Sequence, residues 1–263
     1  MDILKRNMAP LADVAWEAID ERAEEVLRSI LTARKAVKVD GPKGWDFTQI
    51  SEGRLELIEE ESVVKAGVYK VKPLIEARVS FSLKRWELDN ITRGAKDIDL
   101  EPLENAVAEL ANFEEKAIYN GYSAGHITGL KQASTHDAIA FGESGSGIME
   151  AITKGTLLLK DFFVSGPYVL ILGKEAFTRI NRDVQGYPLI QRIQNLIQGQ
   201  ILISDAVKGA FLIPFNHEDL ELTVGQDFAI GYESSDHESV NLFITESFTF
   251  RALDENIIVP FNL

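Results

Sequence analysis

The chain has 263 residues, 45% hydrophobic and 26% charged, which suits one large soluble domain or two small ones with a sizeable core. Its 41 acidic residues against 27 basic ones give a formal charge of -14, which repels phosphate backbones and anionic bilayers, so neither nucleic-acid nor membrane partners are expected. The lack of cysteine excludes disulfides, thiolate nucleophiles and cysteine-ligated metals, and "MDILKRNMAPLADVAW" holds no apolar run of signal-peptide length. No window approaches the length of a membrane span, and a cytoplasmic location is expected.

The first element is "DVAWEAIDERAEEVLRSILTAR". Trp16, Ile19, Ala23, Val26 and Ile30 recur at helical spacing, with Leu27 and Leu31 beside them. Asp13 is the expected cap, and Arg28 and Arg34 suit the C-terminal end. The stripe is broad, so the helix covers either its own core or a groove that receives a partner. "KVDGPKGW" reads as a short strand and a turn. From Asp46 to Pro73 weak alternation suggests a two-stranded ribbon, which is marginal alone and needs a neighbour.

Next, Ile75, Ala77, Val79, Phe81 and Leu83 alternate with polar residues, as in a half-buried strand. Trp86 follows and either packs in a core or interface, or stands exposed and able to stack on a planar ligand. A long helix starts near Pro102, with Leu103, Ala106, Val107, Leu110, Phe113, Ala117 and Ile118 as its stripe and Gly121 at its end. "SAGHITGLKQASTHDAIAFGESGSG" then reads as a linker, with Ser146 capping the helix "IMEAITKGTLLLKDFF". "GPYVLIL" is a buried strand and "KEAFTRINRD" a helix. After a Gly-Tyr-Pro turn comes another helix. "QILIS", "GAFLIPF" and "LELTVGQDFAIGYE" are strands, and "NLFITESFTFRAL" sets Leu242, Ile244, Phe248 and Phe250 on one face with Glu246 among them. Strands and helices mix without a regular rhythm, which favours α+β.

Catalytic patterns are sparse. The four histidines show no metal-ligand spacing, and "GESGSG" lacks the Gly-Lys-Ser/Thr ending of a phosphate loop. There is no Gly-x-Ser-x-Gly elbow, and Glu59, Glu60 and Glu61 read as solvated charge. Asp236-His237-Glu238-Ser239 holds hydrolase residue types in sequence, but neighbours on an extended chain point to opposite faces and cannot converge. A polar turn is the reading favoured.

Seven stretches in order carry a resemblance: "LKRNMAPLADVAWEAIDERA", "RKAVKVDGPKGW", "RWELDNITRG", "GPYVLIL", "GYPLIQRIQNLIQGQI", "GQDFAIGYE" and "LFITESFTFR". From end to end the chain resembles the encapsulin shell proteins. The resemblance implies the tailed-phage major capsid fold, an α+β fold with a peripheral domain, an axial domain and an extended loop. It places an N-terminal helix and the start of the peripheral domain in 1–45, the loop in 46–73 and the peripheral domain with its spine helix in 74–145. The axial domain then falls in 146–220, and the return to the peripheral domain in 221–263.

It further implies a self-assembling icosahedral shell of about sixty copies, without catalysis of its own, enclosing a cargo enzyme. That cargo would be a ferritin-like iron-oxidising protein or a dye-decolourising peroxidase, held by a targeting peptide in a groove at Leu27, Leu31, Arg34, Phe228 and Ile230. The fivefold pore loop would be Asp183, Val184, Gln185, Gly186 and Tyr187, with Asp183 giving a ring of negative charge that favours cations. No cofactor is required, although the resemblance implies flavin stacking on Trp86. Two alternatives stay open: a phage-type capsid protein enclosing DNA, and a protease-like hydrolase built around Ser239 and His237.

Overall fold

The strand from Ser239 to Ala252 organises the fold, since it is covered on both faces. Leu242, Ile244, Glu246, Phe248 and Phe250 are buried on one side, and Phe243, Thr245 and Thr249 on the other. The sequence pattern identifies only the first of these faces. The computed structural model describes residues 3–58, 63–182 and 186–263.

In chain order the first half holds α1 (Asp13–Ile30), β1 (Lys38–Asp40), β2 (Gln49–Ile58), β3 (Ala66–Pro73), β4 (Ile75–Lys84), α2 (Arg85–Thr92) and α3 (Glu101–Asn120). The middle holds α4 (Leu130–Ala133), β5 (Ile139–Ala140), α5 (Gly145–Asp161), β6 (Tyr168–Leu172), α6 (Lys174–Asn181) and α7 (Leu189–Ile197). The last part is β7 (Ile201–Ile203), β8 (Ala210–Pro214), β9 (Leu220–Val224), β10 (Ala229–Ser235), β11 (Ser239–Ala252) and β12 (Val259–Asn262).

β4 runs antiparallel to β11 from Lys84↔Ser239 to Ile75↔Phe248. The opposite edge of β11 is shared: β10 pairs with it as far as Thr245, and β9 takes over from Phe248. Glu246 and Ser247 therefore face the loop between β9 and β10, where Ser247 N donates to the carbonyl of Gln226 at 2.8 Å. β1 extends this sheet in parallel alongside β9. α1, α2 and α3 pack on it through Trp16, Ile19, Leu88, Leu103, Val107 and Leu110.

A second sheet has the order β5-β12-β8-β6-β7. Its central strands β6 and β8 are buried along their whole length, as two-sided packing requires. β5 and β12 join it from outside residues 146–220. β2 and β3 pair only with each other and form the expected ribbon.

Three local expectations are corrected. Residues 123–147 are no linker: Ile127, Leu130 and Phe141 are fully buried, and α4 and β5 form within the stretch. A few large apolar anchors outweigh its Gly- and Ser-rich composition. Ser144, not Ser146, caps α5, accepting from Gly147 N at 3.2 Å. Asp13 lies inside the first turn of α1 with Ala12 at the cap, so it acts only through its charge near the helix N-terminus.

Phe248 has no exposure, and its ring meets Phe113 of α3 edge-on at 6.1 Å between centroids. Replacing Phe248 with Ala should cost about 3–5 kcal/mol, read as a lower midpoint in denaturant unfolding.

Candidate functional site

At its C-terminal end α1 turns a corner into a 3-10 turn at Ala33–Lys35, and Glu115 of α3 fixes that corner. One carboxylate oxygen accepts from Thr32 N at 2.8 Å and Ala33 N at 2.7 Å, and the other accepts from Ser204 Oγ at 2.8 Å and from the Thr32 hydroxyl. Tyr119 Oη lies 2.7 Å from Thr32 Oγ1. Burial pushes both the Glu115 carboxyl and the Tyr119 phenol upward.

The corner aims Arg34 between α3 and the main sheet. Arg34 donates to both carboxylate oxygens of Glu114, from Nε to Oε1 at 2.9 Å and from Nη2 to Oε2 at 2.6 Å. Its Nη1 donates to Asp227 Oδ1 at 2.7 Å, and Nη2 reaches Glu246 Oε2 at 3.3 Å. The guanidinium carbon sits 4.8 Å from the centroid of the Phe228 ring. Burial pulls Arg34 down, but Glu114, Asp227 and Glu246 more than offset it and leave the guanidinium above its usual range. Glu114 and Glu246 have no exposure at all.

All of Leu27, Leu31, Arg34, Phe228 and Ile230 line one groove of about 410 Å³ between α1 and β10. The α1 stripe divides between the core and the groove. Ala15, Trp16, Ile19 and Ala23 enter the core, whereas Leu27 and Leu31 continue into the groove. Ile244 lies in the floor, and Asp20 and Glu24 stand at the rim. The N-terminal arm borders one end. Tyr232 N donates to the Leu4 carbonyl at 2.7 Å, Arg6 pairs with Asp20 at 2.6 Å, and its guanidinium stacks 4.0 Å over Trp16. The groove thus combines an apolar floor with charged rims.

Sequence reasoning missed Arg6, Glu114 and Asp227 here. Glu114 follows Phe113 of the α3 stripe and reads as surface charge. Glu246 carried a signal, as the one carboxyl in an otherwise apolar alternation.

The remaining candidates lie apart. Trp86, in α2, is 70% exposed and does not pack in the core of its own chain. It lines a cavity of about 310 Å³ with Arg85, Asp89 and His237, and Arg93 lies 5.5 Å from its ring. Gly186 adopts φ +79°, and Tyr187 is exposed before α7. Asp183, Val184 and Gln185 lie outside the described residues, as do Glu59, Glu60 and Glu61. Asp236 accepts from Glu238 N and Ser239 N, both at 2.8 Å, and from Ser239 Oγ at 3.1 Å. These bonds to backbone amides hold its carboxyl below the usual range. The Ser239 hydroxyl is thus committed to a turn between β10 and β11, as the sequence pattern suggested. Among the described residues no cluster of His, Asp and Glu could hold a metal, and no helix is long and apolar enough to cross a membrane.

Comparison with known proteins bears on the family and the fold. The family described as "Encapsulating protein for peroxidase" matches residues 1–249. A type 1 encapsulin shell protein of Rhodospirillum rubrum is 39% identical over 269 residues, covering 99% of this chain and 96% of that protein. One of Mycobacterium tuberculosis is 34% identical over 252 residues, covering 95% of each. Among solved structures, the virus-like particle from Pyrococcus furiosus aligns with a TM-score of 0.69 at 14% identity, covering 94% of this chain and 99% of that one. The capsid of Myoviridae phage XM1 aligns with a TM-score of 0.59 at 11% identity, covering 87% and 90%. At such identities these structures show the fold alone, and the relatives at higher identity are named as type 1 encapsulin shell proteins. The chain therefore belongs to the type 1 encapsulin shell protein family, built on the α+β fold of the tailed-phage capsids.

Proposed function

We propose that this chain assembles into a closed icosahedral cage of about sixty copies that encloses a cargo enzyme, whose targeting peptide docks in the groove between α1 and β10. The observation that carries the docking role is the convergence of two stretches distant in sequence, Leu27, Leu31 and Arg34 with Phe228 and Ile230, on one groove. Apolar residues of a tail would fill the floor while its polar groups meet the charged rims, and many grooves in one cage would add avidity. The description of the matching family supports a peroxidase as cargo. A ferritin-like iron-oxidising protein is the second candidate.

The ribbon supports the assembly role. Leu55 and Tyr69 are cross-strand partners, so Leu55, Leu57, Tyr69 and Val71 share one face, and all four are exposed. A ribbon with an apolar face and no further strand partner among the described residues is completed by a neighbouring copy. For ion entry, the loop before α7 would line the fivefold opening, with Asp183 as a ring of negative charge.

The chain purified alone should form uniform hollow particles of about 1.8 MDa, given 29.3 kDa per copy. Light scattering and imaging check this, and Leu57→Asp combined with Tyr69→Asp should shift the mass to small oligomers. A stable monomer from the unaltered chain would defeat the assembly reading. Leu27→Asp should leave particles intact but cut co-purifying cargo about tenfold or more, measured as the cargo-to-shell ratio. Asp183→Lys should slow iron uptake by loaded particles, and an unchanged uptake rate would refute the pore role.

A further inference from the structure

Three carboxyl groups, from Glu114, Asp227 and Glu246, surround the single guanidinium of Arg34 beneath the groove. Glu114 and Glu246 are sealed from solvent, whereas Asp227 at the lip is partly exposed. Arg34 grips Glu114 with two nitrogens but reaches Glu246 only at 3.3 Å. The second oxygen of Glu246, Oε1, is buried and has no hydrogen-bond partner among the described residues.

No other cation bonds these groups among the described residues. On β4, Ala77 lies opposite Glu246, while Glu76 and Arg78 are exposed and pair with each other at 3.1 Å. β10 stops pairing at Thr245, opposite Ala229. Further along α3, Glu115 is engaged by Thr32, Ala33 and Ser204, with Tyr119 beyond it. Two buried carboxylates close together, sharing one guanidinium that also serves Asp227, cannot both stay ionised without a large desolvation cost. A proton held between them removes one charge and turns one carboxyl into a donor.

We propose that Glu246 holds a proton against Glu114 at neutral pH, and that this proton positions Arg34 and, through it, the Asp227–Phe228 lip of the groove. The inference rests on the groove being the docking site. Loss of the proton to water at higher pH makes the buried pair doubly negative. Arg34 is then drawn inward, away from Asp227 and from the Phe228 ring, and the lip loosens. The surroundings point the same way: burial, then the charge of Glu114, lifts the Glu246 carboxyl well above its usual range, against the pull of Arg34. Since the folded value is raised, the stabilisation is complete below the ordinary carboxyl range and is lost as pH rises through the folded value.

The test compares assembled shells of the unaltered chain with Glu246→Gln, whose amide keeps the size and the donor at every pH. Glu114→Gln serves as a second variant if the first does not assemble. Infrared difference spectra should show a protonated carboxyl at neutral pH that Glu246→Gln lacks. Deuterium uptake at residues 225–231, corrected for intrinsic exchange, should rise about tenfold as pH increases in the unaltered shell and stay flat in the variant. Affinity for a synthetic cargo tail should fall by about the same factor in the unaltered shell only. No protonated carboxyl, or the same pH response in the unaltered shell and in Glu246→Gln, would overturn the proposal. If the lip titrates as described but no tail binds at any pH, the proton linkage stands and the docking reading fails.

Discussion

One guanidinium, that of Arg34, answers the charge that the fold buries where α3 faces β11. A carboxylate sealed from water needs a bonded counter-charge or a full set of hydrogen-bond donors, and Glu114 is met by the Arg34 guanidinium, so the position of Arg34 is set by Glu114 before any ligand is considered. Asp227 and the Phe228 ring take up its remaining donor and its flat face, which ties the loop between β9 and β10 to α3. Buried ionic groups of this kind rarely add net stability over apolar residues of similar size, so what the cluster contributes here is orientation. It sets where the floor of the groove ends and where its polar wall begins.

That cluster depends in turn on the backbone corner after α1. The carboxylate of Glu115 gathers the amides of Thr32 and Ala33, which would otherwise be unpaired in a buried turn. Adjacent glutamates on one helix thus have separate roles. Glu115 holds the main chain, and Glu114 holds the side chain that emerges from it. α1 serves two surfaces because its apolar stripe is wider than the core beneath it. Its N-terminal half is covered by α2, α3 and the sheet, and its C-terminal half runs past their edge.

The helices and strands with strong periodicity were legible in the sequence, since α3 and β4 carry their stripes at the spacing their geometry demands. The five groove residues were found through resemblance to a family, and periodicity alone offered only the breadth of the α1 stripe. Glu114 and Glu115 were illegible because a charged residue in a helix is ordinarily solvated, and nothing local to α3 shows that Arg34 and Thr32 come from elsewhere to meet them. The stretch 123–147 misled by composition: its glycines supply tight turns, while Ile127, Leu130 and Phe141 supply the anchoring. Such anchors are too sparse to form a period, so pattern reading passes over them.

The ribbon formed by β2 and β3 has a consequence for the cell that makes the chain. Its apolar face and open strand edges are the features that template unwanted pairing between molecules. A newly synthesised copy exposes them from the moment it folds until it is joined by others. Clustering of nascent copies near one another, as ribosomes sharing a message provide, shortens that interval, whereas slow or scattered synthesis lengthens it. Exposed apolar edges of this kind favour precipitation whenever copies fold faster than they meet.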